Sequence, residues 1–451
     1  MQRLLFLLLL VLALKAESQT ADENPLKFDI IPPGPEAASL GKFVDNPVSA
    51  YTGVPSINIP IYTLKSYELS LPVSLSYHAS GLKWEEIPSW VGAGWALNAG
   101  GTVSRTIRGR NDEDPDYGYF LAQPAMTHNI PSFFSGSTFD PQNFDYVVNN
   151  CSNGYTSDQY RDVLYASRGG LDLEPDQFFF SLPDGQSGKF IFSRDQQMRL
   201  FPHQFATITH SPHPTSGKLF DKWMITGKDG TKYFFERQEM STSQSSCKVL
   251  PDADDDVLEN QRVPDVEAVS SWKLVRMESA NGNDHIEFAY SPETYTYRTR
   301  MSTTSYDQIS GTVQVPGASY CWNYVTYQGW RLKEITTKSG YKVEFIANTN
   351  RADLPGSKWL DSINVSYKDE LIKKFALSYS GPIPTLAMLQ EFFDASGTVK
   401  NPPYEFTYYQ DAPGDYSRES ENLDHWGYSN GSSNSWVLAM PPNNTTEISA
   451  R

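Results

Sequence analysis

A short unit recurs along the chain: a turn that contains glycine, followed by a strand in which aromatic residues alternate with polar ones. A glycine turn ahead of such alternation is the signal of a β-hairpin, and the irregular spacing of the copies argues against a solenoid. The sequence therefore predicts an all-β protein of successive hairpins in sandwich, barrel or shell-like antiparallel sheets, with little helix. The copies are GQSGKFIFS from Gly185, KDGTKYFFE from Lys228, NGNDHIEFAYS from Asn281, KSGYKVEFI from Lys338 and, in weaker form, PPYEFTYY from Pro402.

Two strands are predicted ahead of these units, and one segment is ambiguous. The stretch TLAMLQEFFDASG from Thr385 has helical propensity, but it lies among strands and turns, so a strand is favoured over a helix. The two earlier strands follow from apolar residues at every second position: Ile57, Ile59 and Ile61, then Leu69, Leu71, Val73 and Leu75.

A stretch rich in glycine and tryptophan, SWVGAGWALNAGG at 89–101, leads into the strand-like TVSRTIR at 102–108. Neither a following helix nor a Gly-Lys-Ser/Thr ending is present, so a phosphate-binding loop is excluded. We expect a structural corner in which Trp90 and Trp95 pack on the preceding strands and the glycines, including Gly100, supply positive φ. Arg105 and Arg108 should lie on a basic face of the next strand and pair with acids. The motif residues are Trp90, Gly92, Gly94, Trp95, Asn98, Gly100, Gly101 and Arg105.

The N-terminus has the features of a secretory signal peptide over residues 1–18: a short charged start, a leucine-rich run and small residues at its end. The run is too short to span a bilayer, and no cysteine near the cleavage point would take a lipid. The sequence predicts a secreted or cell-surface protein without membrane insertion.

Charge and cysteine content limit the partners and the covalent framework. The formal net charge of −16 argues against nucleic acid and anionic membranes as partners. The three cysteines, Cys151, Cys247 and Cys321, allow one disulfide and one free thiol, so no disulfide framework is expected. Beyond the signal peptide we predict an N-terminal β module at 19–110, an irregular acidic insertion at 111–170, a hairpin-rich module at 171–410 and a tail at 411–451.

Acidic and histidine clusters offer few candidates for metals, and no cofactor or metal is predicted. His210 and His213 are interpreted as loop histidines rather than zinc ligands. The acidic groups Asp112, Asp114 and Asp116, and the cluster at 252–256, lack the pattern of a calcium loop. Solvated acidic loops are the favoured interpretation, with calcium as the alternative.

Two enzymatic functions, serine hydrolysis and glycoside hydrolysis, are the alternatives to a non-enzymatic role. A Gly-x-Ser-x-Gly nucleophile turn is absent from the sequence. Glycoside hydrolysis needs two carboxylates with aromatic walls, for which Trp84, Glu85 and Glu86, or the run Asp424, His425 and Trp426, are candidates. Because aromatic and acidic residues are abundant throughout, such neighbours arise by chance. The prediction is that the protein is not an enzyme.

Several motifs together resemble the N-terminal region of exported RHS/YD-repeat proteins, particularly those of Bacteroidetes. They extend from about residue 40 to residue 441: the stretch YTGVPSINIPIYTLKSYELSLPVSLSYHASGLKWEEIPSWVGAGWALNAGG, the later strings LEPDQFFFSLPDGQSGKFIF and SSWKLVRMESANGNDHIEFAYS, and DHWGYSNG with Asp424, His425, Trp426 and Gly427. The resemblance implies a β-rich module ahead of YD repeats. In related toxins, including the B and C components of Tc toxins, those repeats build a hollow β shell around a C-terminal effector.

The sequence departs from the family pattern, since Tyr306-Asp307 is an isolated pair rather than a tandem repeat. We therefore expect a non-enzymatic exported scaffold or shell segment of a surface or toxin-delivery protein, the N-terminal part of a split or truncated whole. Its expected partner is a downstream RHS/YD-repeat segment or an adjacent gene product. The alternatives are a carbohydrate-binding or adhesive module, with glycans as partners, and, third, a glycoside hydrolase.

Overall fold

The computed structural model describes residues 54–120, 174–245, 266–303, 307–309, 312–314, 319–408 and 428, with short gaps at 80, 82, 84–85, 109–110, 115–117, 194–195, 215–218 and 382–383. Over these residues the protein is all-β and contains no helix, as the sequence predicts. Accordingly, no helix in the described ranges is long and apolar enough to cross a membrane. The predicted signal peptide, the three cysteine side chains and most of 111–170 lie outside this description.

Twenty strands are described, and they vary greatly in length. In chain order they are β1 (Ser56–Lys65), β2 (Ser70–His78), β3 (Trp95–Asn98), β4 (Thr102–Thr106), β5 (Gln177–Ser181), β6 (Ser187–Phe192), β7 (Met198–Phe201), β8 (Thr207–Ser211), β9 (Lys222–Thr226), β10 (Lys232–Ser245), β11 (Val266–Glu278), β12 (His285–Thr303), β13 (Asp307–Ile309), β14 (Thr312–Gln314), β15 (Ser319–Thr337), β16 (Tyr341–Ile346), β17 (Ser362–Tyr367), β18 (Glu370–Ser380), β19 (Thr385–Phe392) and β20 (Tyr404–Glu405).

Most of these strands belong to one fifteen-stranded antiparallel sheet. Its main order is β20-β19-β18-β17-β16-β15-β10-β11-β4-β5-β6-β7, with β12, β8 and β9 joined at its centre. A separate three-stranded sheet has the order β1-β2-β3, and β13 pairs with β14 alone. The ambiguous segment at Thr385 is strand β19, so the strand prediction is confirmed.

The four clear glycine units are hairpins, as predicted. They form the turns between β5 and β6, β9 and β10, β11 and β12, and β15 and β16. Each turn glycine has positive φ, between 76° at Gly282 and 100° at Gly340, a region that side chains with a Cβ rarely adopt. The weaker unit at Pro402 contributes only the two-residue strand β20.

The large sheet branches at strand β10. One edge of β10 pairs with β11, whereas its other edge pairs first with β9 through Lys232–Phe235 and then with β15 through Met240–Ser245. Since β11 also pairs with β12, and β12 with β15, these four strands form a closed ring. One half of the sheet, β16 to β20, continues from β15 of this ring, and the other half, β4 to β7, continues from β11.

One hydrophobic core joins the three-stranded sheet to both halves of the large sheet. The predicted period-two residues on β1 and β2 lie in it, with Leu71 and Leu75 fully buried. Its largest fully buried side chains are aromatic or aliphatic: Trp223, Trp272, Tyr233, Phe178, Phe190, Phe192, Phe235, Leu64, Leu71, Leu75, Ile225 and Leu274.

Asp284, at the end of the β11–β12 turn, binds the β1–β2 turn. Its buried carboxylate accepts hydrogen bonds from the Ser66 hydroxyl at 2.5 Å and from the Glu68 and Leu69 amides at 2.8 and 3.0 Å. The His285 amide donates a fourth, at 2.9 Å. Burial opposes ionisation, but these hydrogen bonds together lower the pKa of Asp284. The carboxylate thus fastens the three-stranded sheet to the large sheet.

We expect Asp284→Asn to lower the free energy of unfolding by about 1.5–3 kcal/mol at neutral pH, because charge-assisted hydrogen bonds are lost. The folded-state pKa lies below the unfolded value of about 3.9. The stabilisation is therefore present above that value and is lost as the pH falls through the folded-state pKa. Urea unfolding of both proteins at neutral pH and in acid should show the difference shrinking in acid; a constant difference would contradict this role.

Candidate functional site

The glycine–tryptophan stretch is the point where the chain leaves one sheet for the other. Strand β3 ends the three-stranded sheet, and after Ala99-Gly100-Gly101 the chain enters the large sheet as β4. Gly101 lies against neighbouring strands, since a Cβ there would stand 2.8 Å from the Ser181 carbonyl oxygen. The stretch therefore lies where the chain passes from one sheet to the other, and its role as a structural corner stays a prediction.

Trp95 is the centre of this corner and is 3% exposed. Its ring contacts Tyr77 of β2 at a centroid distance of 5.1 Å and Phe406 at 4.8 Å. Its indole N–H donates to the Tyr408 hydroxyl at 2.6 Å, which in turn donates to the Leu386 carbonyl at 2.6 Å. Burial raises the pKa of Tyr408 to about 12, so this hydroxyl stays protonated at neutral pH. Trp95 therefore joins the corner to the segment that follows β20.

Trp90 contacts a strand that comes later in the chain. Its ring lies 6.3 Å from that of Phe345 on β16 and tilts against it, and the residue packs against the core. Its carbonyl accepts from the Leu360 amide at 2.9 Å and from the Tyr379 hydroxyl at 3.3 Å. Two later segments of the chain thus hold the backbone of Trp90 by hydrogen bonds.

Two corner glycines have positive φ, and Gly100 is not one of them. Gly92 has φ of 103° and Gly94 has φ of 74°. A Cβ at Gly92 would stand 2.7 Å from the Leu386 amide nitrogen, and one at Gly94 would stand 2.6 Å from the Tyr77 ring. At Gly100 the nearest atom would be 3.6 Å away, on Phe288. The expectation of positive φ at Gly100 is wrong, because the left-handed backbone of the corner lies at Gly92 and Gly94.

This difference makes a matched pair of substitutions. We expect Gly92→Ala to lower the free energy of unfolding by about 2–4 kcal/mol, because it combines an unfavourable φ with a clash against backbone. Gly100→Ala should change it by less than about 0.5 kcal/mol. Chemical denaturation of the two variants measures both values, and equal losses would show that the corner is not held by close approach at Gly92.

Asn98, the remaining polar residue of the motif, is exposed. Its side-chain amide donates to the Ser76 hydroxyl at 3.0 Å across the β2–β3 pair. The motif residues Asp424, His425, Trp426 and Gly427 lie outside the described residues. Tyr428, which follows them, packs beside Gly81, where a Cβ would stand 3.1 Å from its ring, with the Lys83 ammonium 5.4 Å from the ring centroid.

Arg105 occupies a buried polar site rather than the basic face predicted for this strand. Its side chain is 1% exposed and lies on the same face of β4 as the buried Val103. It donates to Asp176 through Nε at 2.7 Å and through a terminal nitrogen at 2.6 Å, and it also contacts Asn111. The rings of Phe178 and Phe220 lie 5.3 and 5.5 Å from its guanidinium. A charged residue could turn inward because a buried carboxylate neutralises it.

Asp176 brings the two ends of the 111–175 region together. Its carboxylate accepts from the Arg108 amide at 2.9 Å and the Asp112 amide at 3.2 Å, and its own amide donates to the Asp112 carboxylate at 3.1 Å. Burial raises the pKa of Asp176, while Arg105 and these amides oppose the rise. These hydrogen bonds hold the two ends of the acidic region next to each other.

The first acid of that region is therefore not in a solvated loop. Asp112 is fully buried, and Glu113 accepts from the Phe220 amide at 2.9 Å and lies 3.7 Å from Arg105. The interpretation of a solvated loop is wrong for Asp112. Asp116 and the cluster at 252–256 lie outside the described residues. His210, predicted in a loop, is an exposed residue of strand β8.

A further buried carboxylate, that of Glu239, lies at the branch of the sheet. It is 3% exposed and accepts from the Trp330 amide at 3.2 Å and from the Ser271 and Tyr327 hydroxyls, with the Lys273 ammonium at 3.2 Å. Burial and the adjacent Glu239 raise the pKa of Tyr327, so its phenol remains a donor. With four donors around it, this carboxylate stabilises the packing of the branch.

Within the ranges that the structure describes, no three His, Cys, Asp or Glu side chains are grouped so that they could hold a metal ion.

An open groove lies on the outer face of strands β5, β6 and β7. Its volume is about 590 Å³. The half-exposed ring of Phe201 forms part of its wall, and an exposed ion pair, Arg108–Glu174 at 2.7 Å, lies at one side. Its lining is partly apolar and partly charged: Arg108, Glu174, Pro175, Gln177, Lys189, Ile191 and Phe201. None of the sequence predictions includes this groove.

Comparison with known proteins gives no family for this chain. No family model and no curated protein matches it. Among solved structures, the crystal structure of TcdB2-TccC3-Cdc42 is similar with a TM-score of 0.39 and 13% sequence identity. The match covers 79% of this chain and 16% of that chain. At these values it assigns neither a family nor an activity, and the resemblance to RHS/YD-repeat proteins stays a prediction.

Proposed function

We propose that this protein is a non-enzymatic exported scaffold, a shell segment of an RHS/YD-repeat type surface or toxin-delivery protein. The observation that supports this most directly is how the motif residues are used. Trp95 of the N-terminal motif is enclosed by Phe406 and Tyr408 of the PPYEFTYY motif, more than 300 residues later in the sequence. Because these rings are buried and the glycines are in close contact with their neighbours, the motifs expose little surface that could bind a substrate. Their role in the proposal is to join distant parts of the module.

The open edge of strand β20 supports a role in a larger assembly. β20 pairs with β19 through Glu405 and Tyr404, and the next amide, on Phe406, donates inward to Ala387 at 2.9 Å. Since strand amides alternate in direction, the Glu405 amide points away from β19. No described strand covers that side. An uncovered edge is a template for another strand, and we propose that a downstream YD-repeat segment or a separate polypeptide continues the sheet here.

The proposal is tested by co-expressing the mature chain with any YD-repeat polypeptide found to be encoded beside it and measuring the mass of the complex by light scattering. We expect a defined complex that Glu405→Pro abolishes, because proline removes the outward amide. Glu405→Gln retains the amide and should assemble normally. A mature chain that remains a monomer beside such a partner would refute the scaffold role. So would turnover of an oligosaccharide that depends on one of its carboxylates.

A further inference from the structure

We propose that the groove on β5, β6 and β7 binds an acidic oligosaccharide, a sugar chain that bears carboxylates. The site does not involve Trp95 or the segment after β20, and the inference does not depend on the proposed function. Two rows of side chains run across this face of the sheet: Phe179, Lys189 and Phe201 form one row, and Gln177, Ile191 and Arg199 form the other. Gln177, Lys189, Ile191 and Phe201 line the groove, and Phe179 and Arg199 lie beside it.

The two faces of these strands are used in opposite ways. On the inner face, Phe178, Phe190 and Phe192 are buried in the core. On the outer face, Phe201 is 50% exposed and Phe179 is 39% exposed. Apolar patches that are rimmed by polar residues mark interaction sites, and these two rings flank Lys189 in one row across the sheet. A pyranose ring offers an apolar C–H face that can stack on such a ring, while its hydroxyls remain free for polar partners.

Polar groups suited to sugar hydroxyls surround the exposed ring. Gln177 supplies an amide with two donors and an acceptor, and Glu174 supplies carboxylate oxygens. A few polar groups on a partly apolar wall are typical of small-ligand sites, and a volume of about 590 Å³ is within their usual size. The open form of the groove admits an extended chain that lies across the strands.

The charge of the groove selects an acidic sugar. Of the residues that the structure describes here, Arg108 and Lys189 line the groove and Arg199 is exposed beside it, against one lining carboxylate, that of Glu174. The protein as a whole carries a net charge of −16, so this local excess of cations is opposite to the general surface. At physiological ionic strength distant charges are screened within about 8 Å. The nearby cations therefore determine which ligand is attracted.

An acidic peptide added as a strand to β7 is the competing occupant, and the edge of β7 disfavours it. The Ser193 amide bonds to Gln197 at 3.0 Å, and alternation along the hairpin turns the amides of Met198 and Leu200 outward. The strand has only four residues, carries exposed Arg199 and ends at Pro202. Short length, charge and proline are the features by which proteins protect an edge from strand addition. Recognition by side chains across the face is the better supported mode.

Calorimetric titration of the mature chain with tetragalacturonic acid, with neutral galactotetraose as the comparison, tests the site. We expect the acidic sugar to bind more tightly. Phe201→Ala should weaken binding of the acidic sugar about tenfold, as expected for the loss of one stacked ring. Lys189→Gln should weaken the acidic sugar about fivefold and leave the neutral one unchanged.

Phe205→Ala is the matched control, because Phe205 is 87% exposed on the next segment and does not line the groove. It should bind like the parent, and unchanged circular dichroism should accompany every variant. Absence of binding to both sugars would overturn the proposal, as would equal weakening by Phe205→Ala. Binding of an alternating Glu-Val peptide in place of the sugar, with the same loss in Phe201→Ala, would assign the groove to peptides instead.

Discussion

Trp95→Ala is expected to lower the free energy of unfolding by about 3–5 kcal/mol, the range for truncation of a large buried ring. The indole is 3% exposed and packs between Tyr77 and Phe406. Its N–H is hydrogen bonded to Tyr408. Truncation leaves a cavity where the corner, strand β2 and the segment after β20 meet. Equilibrium denaturation by urea, followed by circular dichroism, measures the loss.

Two milder variants separate ring packing from the hydrogen bond. Trp95→Phe keeps an aromatic ring but removes the indole donor, and Tyr408→Phe keeps the ring but removes the hydroxyl between Trp95 and Leu386. Each should cost about 1–3 kcal/mol, less than Trp95→Ala. Tyr67→Ala, at a ring that is 73% exposed, should cost no more than about 0.5 kcal/mol. If Trp95→Ala unfolds like the parent yet abolishes a measurable activity, the corner is a functional site and its structural role is refuted.

The structure also shows which parts of the fold are encoded locally. Hairpin turns with glycine, the alternating residues of β1 and β2, and strand β19 all depend on neighbours within a few residues, and these predictions are confirmed. A hairpin is specified by its own turn and by the period-two pattern beside it. The branch at β10 is different, because it depends on which of β9 and β15 reaches each part of one edge. Nothing local in the β10 sequence specifies that choice.

The positions of buried charged side chains could not be predicted from the sequence. A period-two pattern gives no reason to bury Arg105, and its neutralising partner Asp176 is 71 residues away. Asp284 belongs to a turn that the sequence predicts. Its hydrogen-bond donors at Ser66, Glu68 and Leu69, however, are more than 200 residues away in the sequence. Desolvation makes an unpaired buried charge unfavourable. Such a residue is therefore correctly placed only when its distant partner is known.

The groove, by contrast, left a signal in the sequence. In QFFFS of β5 the buried Phe178 and Phe180 flank Phe179, which must point to the opposite face. A third phenylalanine at an outward position, followed by Lys189 and Phe201 on the next two strands, indicates an aromatic and basic outer surface. What the sequence lacks is the pairing register that sets these three residues side by side.

Arg105→Ala is expected to lower the free energy of unfolding by about 3–5 kcal/mol, because it leaves the Asp176 carboxylate buried without its cation. Both side chains are at most 1% exposed. The neighbouring Arg108–Glu174 pair has the same charges at a similar distance, 2.7 Å, but its side chains are 45% and 61% exposed. Arg108→Ala should therefore cost no more than about 1 kcal/mol. Denaturant unfolding of the two variants compares a buried and an exposed ion pair on one segment.

The pH dependence distinguishes a lost charge partner from lost packing on Phe178 and Phe220. Burial already raises the pKa of Asp176, and removing Arg105 removes the main opposing charge, so the pKa should rise further. A carboxyl group whose pKa is raised by folding destabilises the folded state when it is ionised, and this penalty disappears when it is protonated. The defect of Arg105→Ala should thus be full above that pKa and should shrink as the pH falls toward the unfolded value of about 3.9. Arg105→Met, which keeps much of the apolar stem, should show the same recovery in acid. A defect that is independent of pH, or one that Arg105→Met lacks, would mean that packing rather than charge neutralisation is the contribution of Arg105.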